Sequence, residues 1–220
     1  MPDLNTTLHL DMLEEHRKAN PFLLRLKRAI KILLSYRDFY GLEWGDPEVD
    51  WALRFLRDRY VCAYVNPSHT ALEIGPGGGR WTRYLLGFGK LYVVDYYPAM
   101  FKELKKNFRK PNMVFVVNHG TDFPGVPEGS IDFLFSFDCF VHLERDLIDA
   151  YLKNIWHVLK PGGNAVIHYS DKTKVYAQVN GSFSENTPEQ MRQMVVGAGF
   201  RILEEDLTTM PHSSIVRFTR

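Results

Sequence analysis

The side chains best suited to chemistry fall into two groups along this chain. The first is "LEIGPGGG" (72–79), where Glu73, Gly75, Gly77 and Gly79 alternate, with Asp95 and Asp122 further on. The second is "SFDCFVHLE" (136–144), which sets Asp138 ahead of His142, followed by His168 and Asp171 in "VIHYSDK" (166–172). Glycines let backbone amides approach a ligand closely, and the start of a following helix favours negative charge. Glu73 makes the opposite demand. Its side chain leaves a strand on the same side as Gly75, where it would repel a pyrophosphate and attract a cation. Histidines near acids are the usual means of taking a proton at neutral pH.

The glycine spacing narrows the choice of ligand. A dinucleotide fingerprint wants glycines at its first, third and sixth positions. Counted from Gly75, the sixth position is Arg80, so the pattern fails. S-adenosylmethionine (SAM), with its sulfonium and ammonium, suits both the glycines and Glu73. Asp95 can accept from two ribose hydroxyls, a feature that serves NAD and SAM alike. Asp122 can accept from an adenine amino group while Phe123 supplies stacking area.

These residues need a scaffold, and the hydrophobic pattern supplies one. Strands are predicted at 70–75, 90–95, 112–118, 131–137 and 164–169, with helices at 80–87, 98–109, 144–159 and 187–198. Apolar strands separated by helices imply a parallel sheet covered on both faces, with ligands at the carboxyl ends of its strands. Segments 200–208 and 213–220 are too close for a crossover helix and should pair antiparallel. Ahead of the sheet, "PFLLRLKRAIKILLSYRDFY" (21–40) spaces its apolar residues for an amphipathic helix. Asp46 and Pro47 read as the N-cap and first residue of a second helix running to Val65. Residues 1–65 are therefore expected to form a helical extension or lid, and 66–220 the domain carrying the glycine loop.

Composition sets the outer bounds. The chain has 220 residues, 45% hydrophobic and 24% charged, with a formal net charge of +1. No bulk field favours nucleic acid or an anionic membrane, so a small molecule or carbohydrate is the expected partner. No apolar run approaches the roughly 20 residues of a membrane span, and "MPDLNTTLHLDMLEEHRK" lacks the pattern of a secretory signal. The cytoplasm is the expected compartment. Cys62 and Cys139 both lie in apolar stretches and read as buried thiols. The 21–40 helix is expected to pack on the domain or on a second copy, giving a homo-oligomer.

From about residue 70 to 220 the chain resembles the class I SAM-dependent methyltransferases. The resemblance rests on "LEIGPGGG", "VVDYYP" (93–98), "GTDFP" (120–124), "SFDCFVHLE" and "LKPGG" (159–163), in the order and spacing usual for that family. It implies a Rossmann-like seven-stranded, mostly parallel sheet with an antiparallel last strand and helices on both faces. It implies an enzyme whose cofactor is SAM. Glu73, Gly75, Gly77 and Asp95 would hold the methionyl and ribose parts, and Asp122 with Phe123 the adenine. Pro76, Gly79, Tyr96 and Thr121 would stand beside them, and Ser136 and Phe137 would line the reactive end.

The acceptor is read from what surrounds that end. "EWGDP" (43–47) followed by "GPGGGRWTRYLL" (75–86) resembles bacterial small-molecule and sugar O-methyltransferases. The N/D-P-P-Y/F signature of many N-methyltransferases is replaced by "SFDC". A hydroxyl acceptor needs a base, and His142 is the candidate, with Asp138 to orient it and His168 on the same rim. Ubiquinone-pathway O-methyltransferases have a similar stretch whose two acids and histidine can hold magnesium. Val141 stands in the second acid's place here, so a divalent metal such as magnesium stays an open alternative and not the prediction, with His168 and Asp171 able to complete such a site. Tyr36, Tyr40 and Trp44 would close over the cofactor or stack on a sugar ring. The alternatives are N- or C-methylation of a small metabolite, or a SAM-binding accessory subunit without activity.

Overall fold

Seven strands form one sheet in the computed structural model, which describes residues 41–220 except residue 109. In chain order these are α1 (Trp51–Tyr60), β1 (Thr70–Ile74), α2 (Thr82–Leu85), β2 (Lys90–Asp95), α3 (Met100–Asn107) and β3 (Met113–Val117). Then come β4 (Ile131–Ser136), α4 (Arg145–Val158), β5 (Leu159–Ser170), α5 (Val175–Val179), α6 (Pro188–Gly197), β6 (Arg201–Asp206) and β7 (Ser213–Thr219). The strand order is β3-β2-β1-β4-β5-β7-β6. β7 runs antiparallel to both β5 and β6, and β1 to β5 pair parallel.

Two layers cover the sheet because its strands bury both faces. Leu72 and Ile74 of β1 pack with Ile148, Leu152 and Ile155 of α4 and Met191 of α6. Ala71 faces the other way, toward Leu53, Leu56 and Tyr60 of α1 and Phe133 and Phe135 of β4. Strand order reverses between β1 and β4, the crevice where open α/β sheets bind ligands. Ile74 pairs with Ser136 there, so the loops carrying Gly75 and Asp138 leave the sheet side by side.

The structure moves several predicted boundaries. The second helix starts at Trp51, not at Pro47: Asp50 Oδ1 accepts from the amides of Ala52 and Leu53 at 2.9 and 3.1 Å. Pro47 opens a turn instead, closed by the Val49 and Asp50 amides on the Asp46 carbonyl at 2.9 and 2.8 Å. That helix ends at Tyr60, and a short 3-10 turn, Cys62–Tyr64, replaces its last residues. The 80–87 helix shrinks to α2, because turn backbone at its start and Gly87 and Gly89 at its end bound it. β5 begins early, at Leu159, which pairs with Ile131. α5 has no counterpart in the predicted elements. Both cysteines are free thiols, but Cys62 is exposed and Cys139 half-buried rather than both buried. The 21–40 helix, the oligomer it would mediate, and Tyr36 and Tyr40 lie outside the described residues. Among the described residues no helix is long and apolar enough to cross a membrane.

Candidate active site

The glycine loop is held by contacts that exclude side chains. Gly75 (φ 70°) donates its amide to the Val94 carbonyl at 2.9 Å, and a Cβ on it would stand 2.7 Å from Cys139 Cβ. Gly79 (φ 101°) would bring a Cβ within 2.3 Å of the Phe108 ring. Both positions need positive φ and close approach together, which only glycine supplies without strain. Behind the loop, Glu73 is buried and accepts from Thr82 Oγ1 at 2.6 Å. Burial pushes its carboxyl pKa up to about 8. No lysine or arginine among the described residues pairs with it. A buried acid without a cation, beside a loop that only glycine can form, fits a ligand bearing positive charge.

The other expected cofactor residues stand along neighbouring strand ends. Asp95 ends β2 and accepts from the Tyr97 amide at 2.8 Å; burial raises its pKa, and Tyr96 beside it is exposed. Asp122 accepts from the His119 amide at 2.6 Å. Asn154 Nδ2 donates to the Thr121 carbonyl and hydroxyl at 3.0 and 3.2 Å. Phe123 is buried against Tyr151, with ring centroids 6.1 Å apart, so its ring belongs to the core. Ser136 is fully buried and donates to the Ile74 carbonyl at 3.0 Å, tying the ends of β1 and β4 together.

A cavity of about 480 Å³ opens at this crevice. Gly75, Pro76, Gly77, Phe137, Asp138 and His142 line it. Asp95, Tyr96, Thr121 and Asp122 stand outside that lining, and Glu73, Ser136 and His168 are buried behind it. The wall is completed by residues that sequence reasoning left aside, notably Arg80, Trp81, Asn180, Ser182, Phe183 and His212. One signal could have found His212. β7 is antiparallel to β5, with Ser213 opposite Ser170, so the loop before β7 must sit at the carboxyl end of β5.

Asp138 turns out to be a structural hub. It is the one non-glycine residue with positive φ (60°) among the described residues. Its carboxylate pairs with the Arg80 guanidinium, which is almost wholly buried and also donates to the Gly45 carbonyl at 3.2 Å. His168 has no exposed surface and stacks on Phe137 at 3.9 Å, below the rim where it was expected. Its Nδ1 lies 3.1 Å from the Asp138 amide and 3.2 Å from Asp138 Oδ1; its Nε2 lies 2.5 Å from Ser213 Oγ. Burial lowers the His168 pKa and keeps the ring neutral. Burial alone would raise the Asp138 pKa, but the His168 contact and the Arg80 charge hold it well below the usual carboxylate range.

His142 is therefore oriented by something other than Asp138. It sits at the end of a 3-10 turn, Phe140–His142, and its Nδ1 is 2.8 Å from the Ser182 carbonyl. A carbonyl only accepts, so in the neutral ring Nδ1 carries the proton and Nε2 is left with a lone pair. The ring is exposed at the cavity. Among the described residues no group of three or more His, Cys, Asp or Glu side chains is placed to hold a metal ion.

Comparison with known proteins agrees with this geometry. Residues 71–163 match a family model described as a methyltransferase domain. Solved structures with this fold include a SAM-dependent methyltransferase from Mesorhizobium loti (12% identity, TM-score 0.65, covering 79% of this chain and 99% of that one). A Pyrococcus horikoshii protein is 16% identical with a TM-score of 0.66, over 87% of this chain and 98% of that one. Human N-acetylserotonin methyltransferase, solved with SAM, is 19% identical with a TM-score of 0.58, over 75% of this chain and 52% of its own. No curated protein sequence matches. Residues 71–163 therefore carry a methyltransferase-domain match, and the fold of the chain is shared with solved SAM-dependent methyltransferases. SAM is bound in this fold by the human N-acetylserotonin methyltransferase.

Proposed function

We propose that this protein is a SAM-dependent enzyme that methylates a hydroxyl oxygen of a neutral small molecule, a sugar or similar polyol, with His142 as the base. The observation that carries this reading is the free Nε2 of His142 at the cavity that also receives Gly75, Gly77 and Phe137. Glu73, Gly75, Pro76 and Gly77 would hold the methionyl end, Asp95 the ribose and Asp122 the adenine. Bound there, SAM supplies an electrophilic methyl on a positively charged sulfur. The acceptor oxygen forms the new C–O bond as the C–S bond breaks, and its proton passes to His142 Nε2. Aligning oxygen, carbon and sulfur supplies much of the rate.

The rest of the lining favours a neutral, ring-shaped acceptor. Arg80 and Asp138 neutralise each other, so they leave no net charge for an ionic substrate. Trp44, Trp81, Phe137 and Phe183 offer aromatic faces, while Asn180 offers polar contacts. N- or C-methylation of a small metabolite is the competing reading, since neither would need His142. Purified enzyme with methyl-labelled SAM should therefore be tested on matched hydroxyl and amine acceptors, with the linkage read by mass spectrometry. Label on oxygen is expected. Label on amines alone would replace O-methylation with the competing reading.

A further inference from the structure

His212 lines the same cavity from the segment just ahead of β7, and neither the fold nor the SAM chemistry gives it a role. Two imidazoles flank one phenyl ring: Phe183 meets His142 at 5.8 Å and His212 at 5.2 Å, both edge to face. Their ring nitrogens are not equivalent. His212 Nδ1 is buried with no hydrogen-bond partner among the described residues. Among the described residues no hydrogen bond holds its Nε2 either, yet Nε2 is not one of the buried unpaired atoms, so it is the nitrogen left accessible. An orphaned buried N–H is rarer than an under-satisfied acceptor, which puts the ring proton on Nε2. Burial lowers the His212 pKa to about 4, so the ring is neutral at physiological pH. His142 thus presents a lone pair at its Nε2, and His212 presents an N–H.

We propose that His212 is a specificity residue, its Nε2–H donating to a second oxygen beside the hydroxyl that gives its proton to His142. The acceptor class is then a vicinal diol, or a hydroxyl flanked by another oxygen, rather than an isolated alcohol. The inference rests on the O-methylation reading and adds a demand that reading does not make. It is tested with the full chain at saturating SAM, comparing kcat/KM for a vicinal cyclohexanediol and for cyclohexanol. One neutral hydrogen bond should favour the diol by roughly three- to tenfold. His212→Ala should erase the preference, and His212→Gln, which keeps an N–H donor, should restore part of it. A merely structural role would lower both rates together and leave their ratio intact. Equal rates in the wild type, or a preference that survives in His212→Ala, would overturn the inference alone. No transfer to either alcohol by protein that binds SAM in calorimetry would overturn the O-methylation reading and this inference with it.

Discussion

Replacing His142 with alanine should slow turnover by about 10²–10⁴-fold, the usual contribution of a positioned general base, while SAM affinity stays near normal. His142 is exposed and its side chain makes one hydrogen bond among the described residues, to the Ser182 carbonyl, so its loss should cost the fold only about 0.5–1.5 kcal/mol. Kinetics and SAM calorimetry on the same preparation separate the two effects. A base acts in the chemical step, so kcat should fall and the cofactor Kd should not. Near-normal turnover in a stable, SAM-binding variant would remove His142 from the chemistry. A joint fall in melting temperature and SAM binding would make it structural.

The second large effect is on stability. Arg80→Ala should leave the Asp138 carboxylate without its cation, next to a neutral His168 and in a left-handed backbone conformation. Breaking a buried ion pair from one side costs about 3–5 kcal/mol; Asp138 keeps 31% of its side chain exposed, so the lower end of that range applies. The pH dependence has a definite sign. A carboxyl whose folded pKa is depressed contributes stability above its unfolded value of about 3.9 and loses it as pH falls toward the folded value. The deficit of Arg80→Ala should therefore be full from pH 5 upward and shrink below about pH 4, where the unfolded chain's Asp138 takes up a proton that the folded wild type still resists. Denaturant titrations of both proteins at pH 7 and about pH 3 measure this. A loss under about 0.5 kcal/mol at pH 7 would mean that the pair is of the exposed kind that contributes little.

The parts that a sequence shows best are those set by local pattern. β1, its glycine turn and Asp95 at the end of β2 were legible because apolar runs and glycine spacing are short-range signals. The antiparallel hairpin of β6 and β7 followed from the length of its connection. The helix start was misplaced because Asp46 and Asp50 can both cap, and tertiary context chooses: Asp46 is taken by Arg83 at 2.5 Å, and Asp50 caps α1. The acceptor wall was the least visible. Ser182 and His212 reach it from segments far along the chain, and no spacing rule joins them to the glycine loop. Asp138 and His168 read as catalytic by residue type; what no local pattern showed is that His168 is wholly buried and that Asp138, at the cavity, contacts both it and Arg80.

The most direct measurement is a crystal structure of the enzyme with S-adenosylhomocysteine and a polyhydroxylated acceptor. Methyl transfer at this cavity predicts the cofactor sulfur directed toward Phe137, with one acceptor hydroxyl about 2.6–3.2 Å from His142 Nε2 and facing that sulfur. A sulfur directed away from this cavity, or an acceptor hydroxyl bound out of reach of His142, would contradict it.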